Sequence, residues 1–574
     1  MKKAFIILCA AVAALTLASC DQSRLDIPQK GVYAEEDFYQ TDDDCTQAIA
    51  AVYANLSGFL MYYTSVACFP GDDVYVGNKG YEFNEQHTLE LGNFDDTHSY
   101  PKTHFQKLYK IVYRCNLVID NFKDGTSQVM KQAVAEAKTI RSWAYIYLIE
   151  AWGNPPIVDH VLRTNDEFQQ ANATTEDLWE FVITSLDEAI SSGAMQTKSN
   201  AYDKTAVRPT TEFAMALKGK AQVKSGDYAG AKTTLKKIID SGKYELIPSE
   251  QLADLFFTKE GNHNCESIFE TNINMTNDNR KKIGSGDQWY AYSGPRVKNM
   301  SAKSGSYLTK FTQGWQTFIP TYPFLKAMIE HEGTQSYRFK AWFWTYEDMQ
   351  DMGLNGFNDL RTAQTQKLLD ENPADQPSKN YSCDIKVDHS SEMCGIWRRK
   401  LTPLPDSYIG DYNYDPMDRR YFRYAEVLLL YAEACAQLGE TSGDGLKALN
   451  SIAERAGAPT YSTLTLDNVK TEKLFEMWME GTRFYDLVRW GDAPTVLADH
   501  WNSIPIFYGY KEGKSRADIA PDGRNLFDVY EIRMFDLEAF TGQSYGFQVG
   551  KSEYMPYPAK ELSNNRLLVQ NPGW

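Results

Sequence analysis

Apolar residues recur with helical spacing over roughly the first 240 residues and again from about residue 419 onward. Because side chains three and four positions apart share one face of a helix, this spacing predicts amphipathic helices. In the first part of the chain we expect them at 42–57, 104–122, 131–152 and 175–191. The stretch between the two periodic parts is richer in Gly, Asn, Ser and isolated aromatics. The pattern therefore predicts a mainly α fold: a helical scaffold with a large, irregular, loop-rich insertion.

Residues 210–242 hold the clearest local pattern, two short amphipathic helices joined by a turn at Gly226-Asp227. Small residues stand at Ala216, Gly219 and Ala231, where the two helices face each other. Small side chains allow a close approach of two helix backbones, which an unrelated amphipathic pair does not need. This arrangement is typical of a tetratricopeptide-like hairpin.

The hairpin pattern recurs at 419–457, where Gly439 follows a first helix that is apolar nearly all round and is therefore expected to be buried. With the earlier helices this makes about four pairs. A single hairpin cannot bury its own apolar face, so we expect the pairs to stack into one scaffold. The predicted regions are an N-terminal helical region at 20–245, a loop-rich ligand-binding segment at 246–418, and a C-terminal region at 419–574 that completes the scaffold.

The first 19 residues read as a signal peptide. Two lysines precede an apolar run of 13 residues, Phe5 to Leu17, which is shorter than the ~20 residues a transmembrane helix needs. The small residues before Cys20 resemble the bacterial lipobox, which implies a lipid attached to Cys20. The alternative is ordinary secretion with Cys20 as an incidental residue. We expect the mature protein to be held at a membrane by this lipid.

The composition argues against several classes of partner and cofactor. The net charge of −17 repels nucleic acid, and no run of Lys and Arg offsets it locally. Seven scattered cysteines remain once Cys9 leaves with the signal peptide and Cys20 is acylated, an odd number that does not suggest a disulfide framework. No Cys or His spacing is typical of a zinc site. We expect neither a nucleic-acid partner nor a metal or cofactor.

One constellation could be mistaken for a catalytic centre. Glu480, Arg483, Asp486 and Arg489 recur every three residues on a helix predicted over 472–490. Neighbouring opposite charges keep a carboxylate ionised, whereas a general acid needs its pKa raised. We therefore interpret the ladder as structural ion pairs.

A second pair of carboxylates, Asp72 and Asp73, lies in a Gly-rich loop, FPGDDVYVGNKG. Adjacent side chains in an extended loop diverge and would hardly flank one glycosidic bond, so we expect turn chemistry or recognition of hydroxyl groups there. The HExxH motif of zinc proteases is absent from the sequence. The sequence predicts a protein that is not an enzyme.

Aromatic residues give the positive signal for binding. Five of the twelve tryptophans fall in the middle segment: Trp289, Trp315, Trp342, Trp344 and Trp397. Sugars present apolar faces to flat rings and hydroxyl rims to polar side chains. The predicted glycan-binding residues are Tyr81, Trp289, Tyr290, Tyr292, Arg296 and Trp315. The alternative for each ring taken singly is burial in a core, since tyrosines and tryptophans also bury well in large domains.

Several segments resemble the SusD/RagB family of outer-membrane nutrient-binding lipoproteins. The most specific matches are FRYAEVLLLYAEA at 422–434, EGTRFYDLVRWG at 480–491 and YPAKELSNNRLLVQNPGW at 557–574. Weaker matches include LDIP after Cys20 and EDFY before the first helix. Together the matched segments cover most of 19–240 and 419–574.

The resemblance implies a SusD-like fold and display on the outer face of the outer membrane. It also implies capture of oligosaccharides or polysaccharides without catalysis, and their delivery to a SusC-type TonB-dependent transporter. One alternative within the same architecture is a RagB-like binder of peptides or glycoproteins. A less favoured alternative from another class is a surface glycosidase. The residues leave the identity of the glycan open.

Overall fold

The computed structural model describes most of the chain after the N-terminal segment. The described residues are 38–56, 60–76, 85–257, 261–271, 301–311, 318–356, 394–402, 404–405, 418–498, 503–536 and 546–574. Cys20 and the predicted signal peptide lie outside them. Within the described ranges, no helix combines the length and the apolar character that crossing a bilayer requires.

Helices dominate, which confirms the predicted mainly α class. In the described ranges they are α1 (Asp42–Leu56), α2 (Leu60–Cys68), α3 (Glu85–Glu90), α4 (Ser99–Phe122), α5 (Gln128–Trp152), α6 (Thr175–Ser191), α7 (Thr211–Ser225), α8 (Tyr228–Asp240), α9 (Asp254–Phe257), α10 (Tyr322–Glu332), α11 (Tyr337–Trp342), α12 (Tyr346–Asp351), α13 (Tyr424–Gln437), α14 (Asp444–Ala456), α15 (Leu466–Glu476), α16 (Arg483–Trp490), α17 (Ala493–Val496), α18 (Leu526–Val529) and α19 (Ala559–Asn564).

Side-chain caps explain where the scaffold helices begin. The Thr174 hydroxyl accepts a hydrogen bond from the backbone N–H of Asp177, and α6 spans the residues that the sequence predicts. Helices α4 and α5 begin earlier than expected, because His98 and Ser127 cap their first turns. Three aspartates occupy the first turn of α1, where the helix dipole favours negative charge.

The scaffold helices form four stacked pairs, as the sequence predicts. The pairs are α1 with α4, α5 with α6, α7 with α8, and α13 with α14, and each pair also packs against the next. Close contact inside α7/α8 depends on Gly219, where an added Cβ would lie 2.3 Å from a methyl carbon of Leu235. Because α8 packs against α13, the scaffold continues directly across the long insertion.

In the described ranges, ten short strands form two-stranded antiparallel sheets around the insertion. The described strands are β1 (Val74–Tyr75), β2 (Ser267–Thr271), β3 (Ser301–Ala302), β4 (Ile319–Pro320), β5 (Phe343–Thr345), β6 (Leu354–Gly356), β7 (Ile396–Arg398), β8 (Arg419–Arg423), β9 (Ser503–Tyr510) and β10 (Tyr530–Asp536). They pair as β1 with β4, β2 with β8, β3 with β6, β5 with β7, and β9 with β10. Four of these sheets contribute to a second apolar core, whereas Phe269 and Phe422 of the β2–β8 sheet belong to the core of the helical scaffold.

Two of the predicted helical stretches are wrong in part. The hairpin expected over 419–457 begins with a strand, since β8 pairs with β2 and α13 starts only at Tyr424. The single helix expected over 472–490 is two helices, α15 and α16. The turn between them, residues 477–482, contains Met479 and Gly481 at φ of 66° and 73°, a left-handed backbone that no helix continues through.

The cysteines agree with the expected lack of a disulfide framework as far as the structure describes them. Six of the seven cysteines expected in the mature chain are free and buried: Cys45, Cys68, Cys115, Cys265, Cys394 and Cys435. Cys383 lies outside the described residues.

Candidate ligand-binding site

The predicted glycan-binding residues all fall outside the described ranges: Tyr81, Trp289, Tyr290, Tyr292, Arg296 and Trp315. They therefore stay a prediction. The other three tryptophans of the middle segment, Trp342, Trp344 and Trp397, are 0%, 6% and 0% exposed and belong to the second core. Burial, the alternative explanation for these rings, is correct for those three.

Strands β1 and β4 anchor two of the segments that carry predicted residues. Tyr75 lies opposite Ile319, and Val74 lies opposite Pro320. Tyr81 comes six residues after Tyr75, and Trp315 comes four residues before Ile319. One small sheet therefore holds the chain next to both segments.

Two further sheets hold the ends of the segment that carries the other predicted residues, 272–300. Thr271, at the end of β2, lies opposite Arg419 of β8. Ser301, five residues after Arg296, lies opposite Gly356 of β6. The described strands thus anchor every segment on which a predicted binding residue falls.

The Gly-rich loop before β1 is tied to the C-terminal part of the chain through Asp72 and Asp73. The Asp72 carboxylate accepts hydrogen bonds from Nε and a terminal nitrogen of Arg483, at 2.7 and 2.8 Å. Thr321 donates its hydroxyl to the carbonyl of Asp72 at 2.6 Å. Trp478 donates its indole N–H to the carbonyl of Asp73 at 2.9 Å. Asp72 is therefore part of an ion pair that the sequence analysis does not predict.

The four residues of the predicted charge ladder do form ion pairs, but mostly with partners elsewhere in the chain. The pairs are Glu480 with Lys400 and Arg423, Arg483 with Asp72, Asp486 with Lys473 and Arg489, and Arg489 also with Glu433. The structural interpretation is confirmed, whereas pairing along one helix holds only for Asp486 and Arg489. The break between α15 and α16 turns Glu480 and Arg483 toward different partners.

Glu480 borders a group of enclosed charges that we term the buried ion cluster. It consists of Arg338, Arg423, Arg455, Glu266, Glu332, Glu472 and Glu476, whose side chains are at most 4% exposed. Through Arg423 the cluster connects strand β8 both to Glu266, which lies beside β2, and to the end of α15. The cluster therefore fixes the β2–β8 sheet against the turn at 477–482.

Electrostatics around this turn do not favour proton transfer. Burial would raise the pKa of Glu480, but Arg423 and Lys400 outweigh it and hold the pKa below its usual value. Burial lowers the pKa of Lys400 to about 8 although Glu480 lies 2.7 Å away. A carboxylate that stays ionised cannot act as a general acid.

The Asp73 carboxyl, unlike that of Glu480, has a raised pKa. Burial, with a smaller contribution from Asp72, raises the pKa of the Asp73 carboxyl to about 7. A raised pKa is what a general acid needs, yet the residue is 2% exposed and its Oδ1 has no hydrogen-bond partner. A catalytic acid must reach the atom it protonates, so Asp73 is not placed for catalysis.

One described group could hold a metal ion. His263, Glu270 and Asp418 each offer a ligand atom, and these atoms lie within 4.8 Å of one another. The imidazole stands between the carboxylates, with Nδ1 3.2 Å from Glu270 and Nε2 3.2 Å from Asp418. In this arrangement the imidazole links strand β2 to the residue preceding β8. No local pattern in the sequence indicates the group, because Asp418 lies far from His263 and Glu270 along the chain.

Comparison with known protein families shows the family to which the chain belongs. A family model described as the SusD family matches residues 211–574. A second model, described as starch-binding associating with outer membrane, matches residues 42–220. The chain belongs to the SusD family. The resemblance read from the motifs at 422–434, 480–491 and 557–574 is confirmed, since all three lie inside the first match.

Curated relatives of this SusD family protein match over most of their length. A SusD-like protein of Bacteroides ovatus is 24% identical over 582 aligned positions, which cover 98% of this chain and 96% of the relative. SusD-like protein P38 of Formosa agariphila is 22% identical, with 84% of this chain and 90% of the relative covered. The relationship therefore extends over both the helical scaffold and the insertion.

Solved structures support the same fold. A laminarin binding SusD-like protein has a TM-score of 0.65 at 18% identity, covering 93% of this chain and 99% of its own. A surface glycan-binding protein A from Bacteroides thetaiotaomicron, in complex with laminarihexaose, has a TM-score of 0.64 at 21% identity, covering 93% and 100%. A SusD-like protein from Bacteroides fragilis has a TM-score of 0.67 at 16% identity, covering 94% and 99%. The predicted SusD-like fold is confirmed.

Proposed function

We propose that this SusD family protein binds oligosaccharides without catalysis and passes them to a SusC-type TonB-dependent transporter at the outer membrane. The names of two solved neighbours support a glycan ligand, since one is called laminarin binding and another is in complex with laminarihexaose. Laminarihexaose is accordingly the first probe, followed by other oligosaccharides.

The pairing of β1 with β4 is the observation that carries the proposal. An extended residue spans at most about 3.6 Å, so six and four residues of chain reach no further than about 22 and 14 Å from the sheet. Tyr81 and Trp315 can therefore contact one oligosaccharide. The proposed site is completed by residues from the segment between β2 and β3: Trp289, Tyr290, Tyr292 and Arg296. All of its residues except Tyr81 fall in the ligand-binding segment 246–418.

Binding without hydrolysis is supported by the acidic groups that anchor these segments. Asp72 is held by Arg483, and Glu480 by Lys400 and Arg423. Asp73 is enclosed. A glycosidase needs two carboxyl groups that flank the glycosidic bond, and these described carboxyl groups have other roles.

Isothermal titration with laminarihexaose and a panel of oligosaccharides tests the proposed function. We expect a Kd on the order of micromolar to millimolar, weak enough for release to a transporter. Trp289→Ala and Trp315→Ala are each expected to weaken binding by about fivefold, if one stacked ring contributes about 1 kcal/mol. Tyr113→Ala is the matched control, because this tyrosine is 46% exposed on scaffold helix α4. Unchanged binding in both tryptophan variants would contradict the site, and copurified peptide would favour the peptide-binding alternative.

Attachment to the membrane is a separate part of the proposal. We propose that a lipid on Cys20 holds the protein on the exterior face of the outer membrane, with its scaffold free to stay beside the transporter. Cys20→Ser is expected to leave glycan binding by the purified protein intact while abolishing uptake in cells. Normal uptake by the variant would show that another contact retains the protein.

A further inference from the structure

Helix α4 carries four cations that we term the basic face: Lys102, Lys107, Lys110 and Arg114. Each of them is at least partly exposed, and no Asp or Glu occurs in α4 before Asp120. The sequence contains no run of Lys and Arg, but these four residues follow one another at intervals of five, three and four positions. Because residues three and four apart are neighbours on a helix surface, folding concentrates positive charge on a chain whose net charge is −17.

Three cations of the basic face differ from other lysines of the scaffold in lacking carboxylate partners. Lysines on α5, α7 and α8 form ion pairs: Lys138 with Glu188, Lys218 with Asp187, and Lys232 with Glu440. Among the described residues, Lys102, Lys110 and Arg114 have no such pair. Burial and the charge of Lys110 lower the pKa of Lys107. The charge of the three cations is thus available to an anion outside the protein.

One carboxylate approaches the basic face, but it is outnumbered. Gln106, which is exposed between Lys102 and Lys110, donates its side-chain N–H to Glu561 of α19 at 3.1 Å. More distant carboxylates are screened, since charge interactions in physiological salt extend only about 8 Å. The local cations therefore decide the sign of the field beside this face, even though the chain as a whole is acidic.

Exposed apolar side chains adjoin the basic face through α19. The chain that leaves α19 runs beside residues 169–172. Arg566 donates its N–H to the side-chain oxygen of Gln169 at 2.8 Å, and Val569 donates its N–H to that of Asn172 at 2.7 Å. The large apolar side chains exposed on α4 and beside this contact are Tyr113 (46%), Phe168 (51%), Leu567 (52%) and Val569 (69%). Cations together with exposed apolar side chains are typical of surfaces that lie on a membrane.

The place where the described chain begins agrees with a membrane on this side. Phe38 is the first described residue, 18 residues after Cys20, and the Tyr39 ring lies 5.9 Å from that of Phe122 at the C-terminal end of α4. A helix of 24 residues is about 36 Å long, whereas 18 extended residues span up to about 65 Å. The whole basic face therefore lies within reach of a membrane to which a lipid on Cys20 is attached.

We propose that the basic face and the apolar side chains beside it dock the protein on an anionic lipid surface that bears phosphate groups. Phosphate oxygens accept charge-assisted hydrogen bonds from Lys and Arg. Tyr113 suits the boundary between headgroups and hydrocarbon, because tyrosine has an apolar ring and a polar hydroxyl. Each cation near such a surface strengthens association about fivefold. This docking goes beyond the proposed function, since it requires no glycan.

Vesicle binding by the purified Cys20→Ser protein tests the proposal, because no lipid on residue 20 contributes. We expect binding to mixed vesicles of phosphatidylglycerol and phosphatidylcholine, and none to phosphatidylcholine alone. Binding should be lost between about 0.1 M and 1 M salt, as the range of charge interactions falls from about 10 Å to about 3 Å. Replacing Lys102, Lys110 and Arg114 together by Gln should weaken binding about 100-fold. The melting temperature of this triple variant should stay unchanged, because none of the three residues forms an ion pair with a described carboxylate.

A second triple variant is the matched control. Replacing Lys138, Lys218 and Lys232 by Gln removes the same charge from paired lysines on α5, α7 and α8. This control should bind the mixed vesicles within about twofold of the parent protein, because its net charge changes but its basic face does not. If the control loses as much affinity as the first triple variant, net charge alone governs binding and the proposal is wrong.

The remaining outcomes separate a lipid surface from other anions. Phe168→Ser combined with Leu567→Ser should weaken vesicle binding at both salt concentrations, since an apolar contact is not screened. If the parent protein binds neither kind of vesicle, binds both equally, or binds soluble polyglutamate as tightly as the mixed vesicles, the face does not dock on an anionic membrane.

Titration with laminarihexaose keeps this proposal distinct from the proposed function. The first triple variant should bind the oligosaccharide like the parent protein, because its substitutions lie on α4. If no variant and no parent protein binds any oligosaccharide, the proposed function fails, while the vesicle measurements still decide whether the basic face docks on lipid.

Discussion

Replacing Asp73 with asparagine is expected to stabilise the protein at pH 8 and to destabilise it at pH 4.5. The Asp73 carboxyl is buried beside Asp72, and its pKa is raised from 3.8 to about 7. Between these two pH values the folded protein retains a proton that the unfolded chain releases. The free energy of unfolding therefore falls as the pH rises from about 4 to 7, and the loss persists above pH 7.

The magnitude follows from the two pKa values. Each pH unit of separation corresponds to about 1.4 kcal/mol, so ionised Asp73 costs up to about 4 kcal/mol at pH 8. Asparagine has a similar shape and no charge. Its amide, however, would take the position of the Asp73 carboxyl, whose Oδ1 lacks a hydrogen-bond partner. A buried unsatisfied amide costs about 1–3 kcal/mol. We expect a net gain of about 2 kcal/mol at pH 8 and a net loss of about 1–2 kcal/mol at pH 4.5.

Urea unfolding of the wild type and Asp73→Asn at pH 4.5, 6 and 8 measures this difference. Asp518→Asn is the control of opposite sign: backbone and side-chain hydrogen bonds from Ser515 lower the pKa of Asp518. Its stabilisation is present at neutral pH and is lost as the pH falls through that pKa, so this variant should lose stability at pH 8. If the difference between Asp73→Asn and the wild type does not change with pH, the reasoning about Asp73 is wrong.

Three further substitutions, the last with a control variant, test the packing of two glycines and the role of a buried charge. Gly481→Ala should lower the free energy of unfolding by at least about 2 kcal/mol, because φ is 73° and the new Cβ would lie 2.6 Å from the Tyr63 ring. An unchanged urea midpoint would contradict this expectation. Gly219→Ala gains about 1 kcal/mol of helix propensity but places a Cβ 2.3 Å from the facing leucine, so thermal melting should show a net loss of about 1–2 kcal/mol. Arg338→Met leaves buried glutamates unpaired and should lower the free energy of unfolding, measured in urea, by about 3–5 kcal/mol. Arg516→Met removes an exposed ion pair and should lower the free energy of unfolding by less than about 1 kcal/mol. Equal losses in the two variants would refute the role of burial.

Local signals made much of the scaffold predictable. Helix α6 could be predicted to the residue because Thr174 caps it within the same stretch of sequence that carries its apolar face. The α7/α8 hairpin was predictable for the same reason, since Gly226 ends α7 and Gly219 lies at the contact between the helices. In both cases every residue that decides the structure lies within one turn or one hairpin.

Long-range pairing made other parts unpredictable. Strand β8 forms because it pairs with β2, which lies about 150 residues earlier in the chain. The sequence around Arg419 contains no local pattern that predicts this pairing. The ladder residues Glu480 and Arg483 have suitable helical spacing, yet the left-handed Met479 and Gly481 separate α15 from α16. A non-glycine residue at positive φ has no sequence signature, because the surrounding contacts impose it.

The candidate site was also predictable only where the signal is local. Aromatic rings in a segment without helical period indicated a binding region, and Tyr81, Trp289, Tyr290, Tyr292, Arg296 and Trp315 remain predictions. The sequence analysis does not predict the pair of Asp72 and Arg483, although each residue belongs to a charged motif of its own. No spacing rule connects residues 411 positions apart.

The separation of Asp72 and Arg483 by 411 residues affects the order in which the protein folds during synthesis. Each of helices α4 to α8 contacts its neighbour along the sequence, so this part of the scaffold can form while later residues are still being synthesised. The Asp72–Arg483 pair cannot form until the chain has been completed past residue 483, about five-sixths of its length. Closing so long a loop is slow compared with forming local helices. A truncated chain that ends before α16 would hence retain helical hairpins but lack the ion pair that joins Asp72 to α16.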